Sequence, residues 1–162
     1  TTITGAQLVA LFASKNAGMQ VPDEAIAKAK KFLIECQDEK GGFGYTGNSG
    51  ANLPRTAIGS LILALDKDTD SKEFKASVEY LRENARFGDQ GHKFYSLYYT
   101  SQAMFRASPE DWDKWNLANV RQLQATQAEN GSWNSNYGST FATSAALLSM
   151  ALNYKYLPIY ER

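Results

Sequence analysis

With 162 residues, 17 acidic and 17 basic side chains and a formal net charge of zero, the chain is long enough for a hydrophobic core. It carries no global field for nucleic acid or an anionic membrane. No apolar run approaches the length of a membrane span and no signal peptide is present, so a soluble protein is expected, with its compartment left open.

In chain order, Thr4-Gly5-Ala6-Gln7 opens a first apolar helical run. Pro22-Asp23-Glu24 then starts a second helix reaching about Gln37, with Pro in the first turn and carboxylates at the positive end of the dipole. Ile26, Ala29, Leu33 and Cys36 form one stripe of it, while Lys28, Lys31 and Glu35 lie outside. Thr56-Ala57-Ile58-Gly59 opens a third helix, to Leu65, that is small or apolar nearly all round. Asp66-Lys67-Asp68-Thr69-Asp70 reads as a solvated loop ending in a cap. As a calcium loop it fails, with Ser71 at the glycine position and Ser77 at the final glutamate position. The fourth helix, Ser71 to Asn84, repeats the amphipathic stripe with Phe74, Val78 and Leu81. Thr100-Ser101-Gln102-Ala103 lies in a fifth, Ser108-Pro109-Glu110-Asp111 caps a sixth, and Thr143-Ser144-Ala145-Ala146 marks a seventh, Phe141 to Leu152. The third and seventh are expected to be buried on both faces and the even-numbered helices on one, which implies two layers.

The threonine phrases begin at 4, 56, 100 and 143, in steps of 52, 44 and 43 residues. That is the period of a helical hairpin, and such repeats stack because none can bury its apolar face alone. A second phrase repeats with it. Phe32-Leu33-x3-Gln37-x3-Gly41-x-Phe43 and Leu123-x3-Gln127-x3-Gly131-x-Trp133 each read as a helix end followed by a tight turn. The middle copy keeps Tyr80-Leu81 but has Ala85 at the glutamine position and lacks the Gly-x-aromatic ending. A glutamine at a helix end can serve the unpaired carbonyls and amides there. The glycine supplies a positive φ angle, and the aromatic shields the amide from water. Gln37, Gly41, Phe43, Gln127, Gly131 and Trp133 are therefore read as a structural repeat motif.

These phrases resemble the QW motif of the prenyltransferase and squalene oxidase repeats, the terpenoid-cyclase-like α/α toroids. The family pattern is basic-small-x2-aromatic-aliphatic-x3-Gln-x3-Gly-x-Trp. Lys28 to Phe43 matches it with Phe for Trp, and the second copy keeps Leu123, Gln127, Gly131 and Trp133. The ending, Tyr154 to Tyr160, looks like that of bacterial members of the group. The all-α chain reads as about seven helices, and the resemblance implies that they alternate between inner and outer layers of a ring that seven helices leave incomplete. It would be one helical-repeat domain over residues 1–162, the C-terminal part of a longer protein. Catalysis does not carry over. There is no Asp-x-Asp-Asp acid motif of the squalene cyclases and no Gly-Cys-Gly-Glu-Gln thioester. No zinc set of Asp, Cys and His is expected either, because Cys36 lies in an apolar stripe and His92 in a distant loop. The expectation is a noncatalytic module that packs or binds within a larger protein, with no metal or cofactor. Its partner is the remainder of a longer chain or another protein. The competing reading is part of an enzyme or binder for an isoprenoid or other apolar substrate in the inner-helix cavity. A carbohydrate-active toroid is weaker still, since the inner helices offer almost no carboxylates.

One segment suggests a binding rim. Tyr95, Tyr99 and Gln102 share a face of the fifth helix, and tyrosine combines an apolar body with a polar tip. His92 precedes them, and histidine is the side-chain type that changes charge near neutrality. Arg55 directly precedes Thr56 as Tyr99 precedes Thr100, so both are expected at one end of the inner layer. Arginine opposes the dipole at a helix start, which asks for another reason for its presence. The plainer alternative is that these side chains pack between repeats. Trp112 and Trp115 are read as core.

Overall fold

The computed structural model describes residues 1–86 and 92–154. Residues 87–91, within the stretch expected as the middle repeat's turn, and the ending from Lys155 onward lie outside the described residues. Seven α-helices follow one another: α1 Thr2–Asn16, α2 Asp23–Glu35, α3 Leu53–Leu65, α4 Lys72–Asn84, α5 Lys93–Ala107, α6 Pro109–Thr126 and α7 Ser139–Met150. A short 3₁₀ turn, Ala151–Tyr154, closes the described chain. Among the described residues there is no strand, only an isolated antiparallel bridge between Gln37 and Phe43. The helices belong to two compact units, Thr1–Asn84 and Ala85–Arg162.

In the first unit α3 packs against α1, α2 and α4, while α2 also touches α1. The run Leu53–Leu63 is buried without interruption save Arg55, in keeping with its apolar composition. Asn52 caps this helix, its side chain accepting from the Arg55 amide at 3.1 Å, and Pro54 stands in the first turn. Gly59 gives the Phe43 ring its place, since a Cβ there would lie 2.8 Å from the ring carbons. The acidic stretch after α3 is tied down rather than merely solvated. Lys30 of α2 donates to Asp66 at 2.5 Å and pairs with Asp68 at 2.8 Å. Partial burial works against the Lys30 ammonium, but its hydrogen bonds to the two carboxylates outweigh this and hold its pKa above the ordinary value. Ser71 then caps α4, its hydroxyl oxygen accepting from the Phe74 amide at 3.1 Å.

In the second unit α5 packs against both α6 and α7, which touch each other. Ser108 caps α6 by accepting from the Asp111 amide at 3.0 Å, with Pro109 at the first helical position. Trp112 and Trp115 lie in the core, their indole N–H groups donating to Asn153 Oδ1 at 2.6 Å and Ser101 Oγ at 2.8 Å. Phe105 meets Trp112 edge to face at 5.3 Å. The seventh helix departs from the sequence expectation. Only Ala142, Ala145, Ala146 and Ser149 of α7 are buried, whereas Leu147 is 52% and Phe141 37% exposed. Its composition suits burial on both faces, but α5 and α6 cover only one of them. No further described helix follows to cover the other.

Candidate functional site

The two glutamine turns share two backbone hydrogen bonds, and the first adds a third, from the Gly44 amide to the Cys36 carbonyl at 2.8 Å. After α2, the Asp38 amide donates to the Gly42 carbonyl at 2.8 Å and the Gly41 amide to the Asp38 carbonyl at 3.1 Å. After α6, the Ala128 amide donates to Ser132 and the Gly131 amide to Ala128, both at 2.9 Å. Gly41 and Gly131 sit at φ of 86° and 81°, in the left-handed region that favours glycine. The side chain of Gln37 donates to the Gly41 carbonyl at 3.1 Å, and that of Gln127 to the Gly131 carbonyl at 2.8 Å.

The threonine phrase and the glutamine phrase prove to be two halves of one device. The Phe43 amide donates to Thr56 Oγ1 at 3.0 Å, and the Trp133 amide donates to Thr143 Oγ1 at 3.1 Å. Each aromatic is thereby pinned to the helix that follows its turn. Phe43 is fully buried and Trp133 nearly so, and the Trp133 indole N–H donates to the Leu123 carbonyl at 2.9 Å. That bond satisfies a carbonyl left unpaired near the end of α6. Sequence reasoning found both phrases but not their connection. The signal was available, since a threonine recurs ten to thirteen residues after each aromatic.

The turns differ in what lies over them. Gln37 Nε2 also donates to the Glu73 carbonyl of α4 at 2.8 Å. Gly41 lies so close to α4 that a Cβ would fall 2.2 Å from the Ala76 carbonyl oxygen, and Gly42 faces the Tyr80 ring. At the second turn a Cβ on Gly131 would meet nothing within 4 Å. Gln127 is exposed there, not the buried amide that sequence symmetry suggests. It has one carbonyl partner where Gln37 has two.

The proposed rim residues fall in both units. Arg55, in the first, donates to the Gly50 carbonyl at 2.6 Å and lies over the Tyr45 ring at 5.6 Å. This gives a local reason for a cation at the start of α3, which is to hold the turn before it. In the second unit the rings of Tyr95 and Tyr99 meet at 4.8 Å, and Tyr98 meets Tyr99 at 4.9 Å. Burial raises the pKa of the Tyr95 hydroxyl. It raises that of Tyr99 further, with the neighbouring Tyr95 hydroxyl adding to the effect. Gln102 is 1% exposed and neither end of its amide has a hydrogen-bond partner. His92 is drawn elsewhere, to Tyr137. Their rings stack at 6.1 Å and 21°, with the Tyr137 hydroxyl 3.1 Å from Nδ1.

That pair borders a cavity of about 320 Å³ in the second unit. The first turn of α5 lines one side with His92, Lys93 and Phe94, and the turn before α7 lines the other with Asn134, Asn136 and Tyr137. Trp133 and Phe141 complete the apolar wall. Asn134, Asn136, Tyr137 and Phe141 escaped sequence reasoning because they sit in a polar turn with no periodic pattern. Among the described residues, no three His, Cys, Asp or Glu side chains group as metal ligands. No described helix is long and apolar enough to cross a membrane. No family model, curated protein or solved structure matches the chain.

Proposed function

We propose that this chain is a noncatalytic helical-repeat module, an open section of an α/α toroid of the prenyltransferase and squalene oxidase repeat kind. It serves to pack against further helices within a larger protein. One observation carries this reading. Two turns that share their glycine, glutamine and threonine bonds differ in that the first is covered by α4, whereas no described helix covers the second. Leu147 on α7, 52% exposed, provides apolar area for a further helix.

The occupant of the second turn is an outer helix of the same type as α4. Its first turn offers a free carbonyl to Gln127, and a residue no larger than alanine stands opposite Gly131. The internal copy supplies the probe. A peptide of the α4 sequence, Ser71 to Asn84, can be locked as a helix by a lactam between Lys75 and Glu79, both exposed and one turn apart. Titrated into the whole protein and followed by nuclear magnetic resonance, it is expected to shift the Gln127 side-chain amide and the Gly131 backbone amide. A lactam-locked scrambled peptide should leave both unmoved. Equal effects of the two peptides, or none at about 5 mM, would refute the docking reading. Concentration-dependent self-association through Leu147 would instead make a second copy the occupant.

The alternative of an apolar-substrate toroid has less behind it. The one cavity described in the second unit is lined by a lysine, a histidine and asparagines as well as rings, which suits a polar end group better than a pure hydrocarbon.

A further inference from the structure

We infer that the cavity between the start of α5 and the turn before α7 binds a small monoanion with an attached ring, an aromatic carboxylate. This inference is independent of the helix-docking reading, because it rests on the cavity and its chemistry rather than on the uncovered turn.

Size comes first. About 320 Å³ is at the lower end of the range for small-molecule sites, so a ligand of one or two rings fits and a long chain does not. The walls are aromatic. Tyr137 is 59% exposed and Phe141 37% exposed, and their rings meet edge to face at 5.6 Å. The His92 ring stacks with Tyr137 at 6.1 Å. Two exposed rings fixed at a mutual angle of 69° form a corner against which a planar ring can stack.

Charge then selects among ring compounds. Among the described residues, the lining contains one permanent cation, Lys93, and no carboxylate. Lys93 Nζ lies over the Phe94 ring at 5.4 Å and makes no ion pair among the described residues. A partly exposed lysine without a counter-ion or a lining acid among the described residues favours an anion that brings its own charge. A single lysine matches one negative charge, so a carboxylate suits it better than a doubly charged phosphate. Asn134 and Asn136 add amide donors on the opposite wall. The first turn of α5 carries no acidic residue, and His92 at its N-cap provides no side-chain cap. The positive end of that helix therefore reinforces Lys93 rather than opposing it.

The test uses 3-phenylpropionate and its neutral counterpart 3-phenylpropanamide, which share shape and differ in charge. Each is titrated into the whole protein while the amide signals of Lys93, Asn134, Asn136 and the Trp133 indole are followed. The carboxylate is expected to shift all four and to bind roughly tenfold more tightly than the amide, the effect of one charge-assisted contact. Lys93→Gln, at a partly exposed position where the fold tolerates a neutral chain, should abolish that preference while retaining binding of the ring. Phe141→Ala should weaken both compounds by a similar factor. Equal affinity for acid and amide would overturn the anion assignment. Absence of shifts at these four positions with either compound at about 10 mM would overturn the site itself.

Discussion

Replacing Gly41 and Gly131 separately by alanine isolates what α4 contributes to the first turn. Both glycines have nearly the same φ, 86° and 81°, so both variants bear the same conformational cost of about 1–2 kcal/mol for a side chain in the left-handed region. Only Gly41→Ala adds a clash. Its Cβ would stand 2.2 Å from the Ala76 carbonyl oxygen and 2.9 Å from the Ala76 Cβ. Backbone must move by about an ångström, and overpacking of this kind costs about 1–3 kcal/mol more. Gly41→Ala should therefore lose about 2–5 kcal/mol and Gly131→Ala about 1–2 kcal/mol. The three tryptophans, at 112, 115 and 133, all belong to the second unit. Urea unfolding followed by circular dichroism at 222 nm reads both units, while tryptophan fluorescence reads the second alone. Gly41→Ala should shift the first signal and Gly131→Ala should shift both. Equal losses in the two variants would refute the claim that the following helix presses on the first turn.

The glutamines should follow the same asymmetry. Gln37→Ala removes bonds to two carbonyls and is expected to cost about 1–3 kcal/mol, whereas exposed Gln127→Ala should cost under about 0.5 kcal/mol in urea melts. Thr56→Val keeps shape but strips the fully buried hydroxyl of its bonds to the Phe43 amide and the Asn52 carbonyl, so a loss of about 1–3 kcal/mol is expected by the same measurement. Gln102→Met should leave stability unchanged or raise it by about 1 kcal/mol, because it removes a buried amide without partners at similar volume; a clear loss would mean that the amide holds an internal water. Finally, Lys30, Tyr95 and Tyr99 all have folded pKa values above their unfolded ones. Their contribution is complete below about pH 10 and is lost as pH rises through the folded values, since the native state then binds more protons than the unfolded one. Melting temperature should fall above about pH 10, and less steeply in Tyr99→Phe; an identical slope in that variant would remove Tyr99 from the account.

The helices were legible in the sequence because their causes are local. Apolar spacing in Ile26, Leu33 and Cys36, the cap at Ser108-Pro109 and the continuous apolar run from Leu61 to Leu65 act within a few residues. The left-handed glycines at 41 and 131 were legible for the same reason, since a tight reversal at a helix end demands them wherever the chain goes next. Other features depended on partners far along the chain. That Thr56 and Thr143 each receive an aromatic's amide needs two segments brought face to face. That Lys30 pairs with both Asp66 and Asp68 needs α2 laid along the loop after α3. Gln37 and Gln127 carry the same local pattern, and no local rule distinguishes them. Tertiary structure does so by laying α4 over one turn and no described helix over the other. The cavity beside Lys93 belongs to the same class, because a concavity is made by the approach of two elements and is written in neither.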